Sequence, residues 1–175
     1  ILGHLKTEGL IHSLEDVESV EWRENRQKAM VRISAPLPSG FPDQYTKTPH
    51  PLTPIDWKPE WIFSLADRIA EGMPLHEKTW GAHSCFLALG EQLLFSCEDI
   101  GRHNAIDKAV GYALKNGLSL EDCILYTSGR MPFDMAMKII MAGIPVVAAK
   151  AIPMMDSVEL AKKYHLTMIC AARPD

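Results

Sequence analysis

The sequence predicts an α/β protein: a mixed, mostly parallel sheet with helices on both faces, preceded by a small N-terminal α+β unit. Three observations predict it. From residue 60 onward, short apolar runs alternate with helix-length amphipathic segments. The runs are continuously apolar, as strands covered on both faces must be. And 47% of the 175 residues are hydrophobic, enough to bury the core of one ordinary domain.

Residues 1–35 read as the small unit, and its start at Ile1 rather than Met marks it as truncated. A short helix over 2–8 is closed by Gly9, and a polar loop over 12–18 follows. A strand over 28–34 alternates Ala29, Val31 and Ile33. Residues 36–59 are a connector, holding seven of the twelve prolines, and proline removes donors and blocks helix. Residues 60–175 are the α/β domain. Its first helix, 60–72, lines up Trp61, Ile62, Leu65, Ala66 and Ile69 on one face. Runs 84–89 and 93–96, joined through Gly90, form a hairpin that gives the sheet a mixed edge. Helix 104–116 buries Ile106, Ala109, Val110, Ala113 and Leu114 and stops at Gly117. Strand 123–127, helix 132–142 with Pro132 near its start, strand 145–149, helix 156–164 and strand 166–171 complete the pattern.

The totals exclude several classes. A formal charge of −4 argues against bulk binding to nucleic acid or anionic lipid. No apolar run approaches the roughly 20 residues that span a bilayer, and no signal peptide is visible. Cytoplasmic location is the expectation. Cys85, Cys97, Cys123 and Cys170 are scattered, with no metal-ligand spacing. Zinc deaminases pair H-x-E with P-C-x-x-C, and neither motif is present. No metal and no catalytic residue is assigned.

Four polar clusters follow the expected strands directly: Glu98 to Asn104, Ser128-Gly129-Arg130, Lys150, and Arg173-Pro174-Asp175. In open α/β sheets ligands bind at the carboxyl ends of the strands. Gly101 and Gly129 allow backbone N–H groups to approach a ligand, and Arg102, Arg130 and Arg173 can fork onto phosphate oxygens. Helices 104–116 and 132–142 aim their N-termini at the same edge. The chemistry indicated is recognition of phosphate or pyrophosphate, with neither a P-loop nor a Rossmann fingerprint. Each piece also has a plainer reading. Asn104 can be an N-cap with Asp107 at N3, and Glu98 or Asp99 can pair with Arg102. Ser128-Gly129-Arg130 can be only a turn, and His83 a core histidine.

The segments Leu2 to Ile11, Thr79-Trp80-Gly81-Ala82-His83, Glu98 to Lys108, Ser128-Gly129-Arg130, Ala142-Gly143-Ile144-Pro145-Val146 and Leu166 to Pro174 together resemble the formate dehydrogenase accessory sulfurtransferase family (FdhD). The resemblance implies a larger domain of cytidine-deaminase-like fold and a homodimer. It also implies sulfur transfer from a cysteine desulfurase to the molybdenum cofactor, a bis-molybdopterin guanine dinucleotide, on its way into formate dehydrogenase. By motif matching, His83, Gly101, Arg102, His103, Asn104, Ser128, Gly129 and Arg130 line the cofactor site, with Ala171, Ala172, Arg173, Pro174 and Asp175 near the chain's end. One departure bears on activity. The family commonly carries a C-G-x-C-G segment whose cysteine holds the persulfide, and residues 36–59 contain no cysteine. The alternative to a sulfurtransferase is therefore a non-catalytic chaperone that binds the same cofactor.

Overall fold

A computed structural model describes residues 1–43 and 46–174. Its centre is a five-stranded sheet built from β3 (His83–Leu89), β4 (Gln92–Asp99), β5 (Ile124–Thr127), β6 (Val146–Ala149) and β7 (Thr167–Cys170), in the order β4-β3-β5-β6-β7. β3 runs antiparallel to both β4 and β5, and β5-β6 and β6-β7 pair in parallel. Four of the five strands therefore point the same way, and their carboxyl ends share one edge.

Successive residues of the central strands feed two separate cores, which is why those strands read as unbroken apolar runs. Cys85, Leu87, Leu125, Val147 and Ala149 face one side, under α4 (Arg102–Lys115), α5 (Phe133–Ala142) and α6 (Met155–Tyr164). Phe86, Ala88, Ile124, Tyr126, Val146 and Ala148 face the other, under α2 (Pro59–Ala70), whose Ile62, Leu65, Ala66 and Ile69 are all buried. The mixed, helix-covered sheet expected from the sequence is what the chain forms. No helix among the described residues is long and apolar enough to cross a membrane.

Helix α4 starts two residues earlier than expected, with Gly101 as N-cap, so Asn104 lies inside the helix rather than capping it. Asp107 is not part of a capping box; it faces α1 (Leu2–Thr7). Pro132 is the N-cap of α5, not its first residue. Besides single 3-10 turns at Leu14–Asp16 and Leu120–Asp122, two elements were not expected. α3 (Pro74–Thr79) is a single short helix ending at a left-handed Trp80. β1 (Val17–Arg23) pairs with β2 (Lys28–Ile33) in a separate two-stranded sheet. β1 is exposed over most of its length and its register slips between Val17 and Ser19, so its sequence carries no clean alternation. From residue 36 to α2 the described residues form neither helix nor strand.

Helix α1 packs across α4 and α5. A Cβ on Gly3 would lie 1.8 Å from the Asp107 carbonyl oxygen and 2.7 Å from the Gly111 nitrogen, so only glycine permits this approach. Beside it, the Lys138 ammonium, 7% exposed, lies 3.0 Å from Asp107 Oδ1 and 3.1 Å from Glu8 Oε1. It donates to Thr7 Oγ1 at 2.9 Å, and Thr7 in turn donates to Asp107 at 2.8 Å. The charge is thus satisfied from three directions, as a buried ammonium must be.

Two substitutions test this docking. Gly3→Ala is expected to destabilise by the upper part of the about 1–3 kcal/mol typical of overpacking. Lys138→Met takes the buried ammonium away from Asp107 and Glu8, which keep Thr7, His4 and Lys47 as partners, and is expected to lose about 3 kcal/mol, the low end for breaking a buried pair. Denaturant unfolding measures both, and an unchanged midpoint in both variants would show that α1 is not held in this way.

Candidate anion-binding site

The shared carboxyl edge collects the polar clusters in space. β4 ends at Asp99, β5 leads into Ser128, β6 into Lys150 and β7 into Ala171, and His83 opens β3 at the same edge opposite Asp99. Helices α4, α5 and α6 all begin there, so their positive dipole ends converge on it.

Arg102 is the first residue of α4, and its Nε is buried with no hydrogen-bond partner. It lies against Gly129, where a Cβ would come within 3.2 Å of Arg102 Cβ and 3.4 Å of Thr127 Oγ1. Gly129 thus makes room for the guanidinium stem. Arg130 is exposed beside it. Partial burial, followed by the charges of Arg102, His76 and Arg130, holds the His83 imidazole below its ordinary value.

The acidic residues of the edge are occupied elsewhere. Glu98 does not pair with Arg102; its carboxylate accepts the N–H groups of Leu75 and His76, both at 2.7 Å, at the start of α3. Asp99 does not pair with it either. It sits 2.8 Å from the Lys108 ammonium and accepts from the Gly101 N–H at 2.9 Å and from Asn104 Nδ2 at 3.1 Å. Burial raises the Asp99 carboxyl, but those donors outweigh it and leave the group below its ordinary value.

The FdhD/NarQ family model matches residues 1–175. The chain belongs to the FdhD/NarQ family. It is 42% identical over 118 residues to a sulfur carrier protein FdhD of Streptomyces avermitilis, a match that covers 66% of this chain and 42% of that protein. A second sulfur carrier protein FdhD, from Halalkalibacterium halodurans, is 29% identical over 189 residues, covering 95% of this chain and 70% of that one. A crystal structure described as a formate dehydrogenase accessory protein from Desulfotalea psychrophila superposes with a TM-score of 0.79 at 27% identity, over 99% of this chain and 71% of that one.

Within this FdhD/NarQ fold, the candidate residues split into two groups. Arg102 and Arg130 present charge to the edge, with the His83 imidazole beside them held below its ordinary value by partial burial and by their charges. The backbone N–H groups expected to cradle a ligand are already used. Gly101 donates to Asp99, and Gly129 donates to Thr127 Oγ1 at 3.1 Å. Ser128 Oγ accepts from the Ser84 N–H at 2.9 Å, so that side chain extends the β3-β5 ladder. His103 Nε2 lies 2.5 Å from Asp134 Oδ2, a partner on α5 that sequence reasoning missed. Burial raises the Asp134 carboxyl, yet the His103 contact and charge keep it below its ordinary value. Its position in the first turn of a helix aimed at the edge was the available signal.

The tail closes the far side. Ala171 N–H donates to the Ala151 carbonyl, and the buried Ala172 donates to Ala149 while its carbonyl accepts from the Tyr126 hydroxyl. Arg173 Nε donates to the Lys150 carbonyl at 3.1 Å, and Pro174 is half-buried beside it. Asp175 lies outside the described residues. Trp80, 82% exposed and in ring contact with His76, is a second residue that sequence reasoning did not single out for the site. A separate pocket of about 550 Å³ lies near the opposite ends of the strands, between Lys6, His12, His50, Glu121 and Ile140. Its Lys6 donates to the His12 carbonyl at 3.0 Å.

The His83 shift has a consequence for pH. The folded chain resists protonating His83, while the unfolded chain takes up the proton at the ordinary value of 6.5. Stability is therefore expected to fall as pH drops through 6.5, levelling off below the folded value. Thermal melts of the protein and His83→Gln against pH check this; equal acid-side losses would show that His83 contributes nothing.

Proposed function

We propose that this FdhD/NarQ protein acts in formate dehydrogenase maturation, moving sulfur from a cysteine desulfurase to the molybdenum cofactor, bis-molybdopterin guanine dinucleotide. In this reading the cofactor is cargo, and its phosphates settle on the carboxyl edge of the sheet. The relatives support the pathway through their names, sulfur carrier protein and formate dehydrogenase accessory protein. The observation that carries the site is Arg102, whose buried Nε has no acceptor within the protein. A desolvated donor without a partner is unfavourable unless a ligand supplies one.

The residues divide the work. Arg102 brings a guanidinium whose Nε is buried at the start of α4, and Arg130 adds an exposed guanidinium beside it. His83, held below its ordinary value first by partial burial and then by the neighbouring charges, offers an imidazole beside the two guanidinium groups. Gly101, His103, Asn104, Ser128 and Gly129 shape the rim through the contacts already described. The working unit in this reading is a homodimer. The absence of cysteine from residues 36–59 favours a second reading, a chaperone that holds the cofactor without transferring sulfur.

Calorimetric titration with GDP, one half of the cofactor's nucleotide portion, tests the site. Charge-assisted hydrogen bonds contribute about 1.5–3 kcal/mol each. Arg102→Ala and Arg130→Ala are therefore each expected to weaken GDP binding roughly ten- to a hundredfold. Unchanged affinity in both variants would overturn the placement.

A further inference from the structure

Cys85 on β3 and Cys97 on β4 stand directly opposite each other in the antiparallel ladder. Directly opposed residues of such a pair have Cα atoms about 4.5 or 5.5 Å apart. A disulfide spans roughly 4.4–6.8 Å between Cα atoms, so directly opposed cysteines lie within its reach. Both thiols are free.

The two thiols are unequal. Cys85 is fully buried among the residues under α4, while Cys97 lies at the rim of that core on the edge strand and is half-buried. Cys97 Sγ donates to the Ala105 carbonyl at 3.3 Å, on the first turn of α4, and the next residue, Glu98, begins the polar cluster at the strand end. An outer thiol that can be reached and an inner one directly behind it are the two parts that thiol–disulfide exchange requires.

The surroundings reinforce the division. The Cys85 thiol beside Cys97 lowers the latter against its own partial burial, with help from Lys108 on α4 and opposition from Asp99 and Glu98 on β4. The same contact, together with burial, pushes Cys85 up. Cys123 and Cys170 are pushed up to about 11 by burial. Cys97 is thus the thiol of the four best suited to attack.

We propose that Cys97 and Cys85 form a dithiol that accepts a sulfane sulfur from a persulfide and releases it as hydrosulfide. The Cys97 thiolate attacks the terminal sulfur of R–S–SH; the donor's S–S bond breaks, R–S⁻ leaves, and Cys97 carries –S–SH. The Cys85 thiol passes its proton to the outer persulfide sulfur as its Sγ attacks Cys97 Sγ; the new S–S bond breaks, and the sulfur departs as hydrogen sulfide, which is largely HS⁻ once in neutral solution. Two thiols are oxidised to one Cys85–Cys97 disulfide while the sulfane sulfur is reduced to sulfide, and two low-molecular-weight thiols reset the pair. The substrate class rests on the sulfur handling proposed above; the dithiol geometry is independent of the anion site.

The test treats the reduced full chain with glutathione persulfide. Hydrosulfide is quantified, and non-reducing peptide mapping locates the sulfur. The expected result is stoichiometric hydrosulfide with Cys85 and Cys97 linked. Cys85→Ser is expected to lose hydrosulfide release and keep one extra sulfur on Cys97, Cys97→Ser to lose both, and Cys123→Ser to match the unaltered protein. The mapping of the unaltered chain needs no variant to fold. Both thiols remaining free there, or the sulfur lying on Cys123 or Cys170, overturns the dithiol. Sulfur on another cysteine would leave sulfur handling standing, whereas sulfur on none would remove both readings.

Discussion

The constraint on which the architecture depends is the reversal of β3. This strand lies between β4 and β5 and runs against both. Had the hairpin been placed so that β4 rather than β3 met β5, the loop after β4 would have faced away from the loops after β5, β6 and β7. As built, four strand ends and the starts of three helices meet at one edge. The positive field around Arg102 follows from topology before any side chain is considered.

A second element, α1, ties the N-terminal segment to the layer that supports this edge. The glycine contact at Gly3 and the charge lock at Lys138 connect α1 to α4 and α5, the helices that begin with Arg102 and beside Asp134. Asp107 thereby joins one helix of the site layer to both neighbours. The motif stretch from Glu98 to Lys108 serves three separate structures: α3 through Glu98, the helix start through Asp99, and α1 through Asp107.

The fold was legible because the central strands are covered on both faces, and apolar runs such as 146–149 admit little else. The convergence at the strand ends was legible for the same reason. What the sequence hid were contacts between residues far apart in the chain. His103 meets Asp134 across 31 positions, and Glu98 caps a helix that precedes it by more than twenty residues. Neither is encoded by local spacing. The glycines misled for a related reason: near-neighbour acceptors, Asp99 and Thr127, had already taken the N–H groups that a ligand-centred reading left open. β1 was missed because a strand solvated along most of its length has no buried face to print on the sequence.

The bare Arg102 Nε has a consequence for selectivity. A pocket that recognises by shape alone separates close analogues by about one methylene's worth of burial, a factor of roughly ten to two hundred. A desolvated donor waiting for its acceptor separates them far more steeply, by about four or five orders of magnitude at best, because the wrong molecule leaves the donor stranded. In the function proposed above, the edge would therefore tolerate variation in a ligand's bulk while rejecting one that lacks an oxygen at that single point. Discrimination of this kind is set when the chain folds around Gly129, not when the ligand arrives.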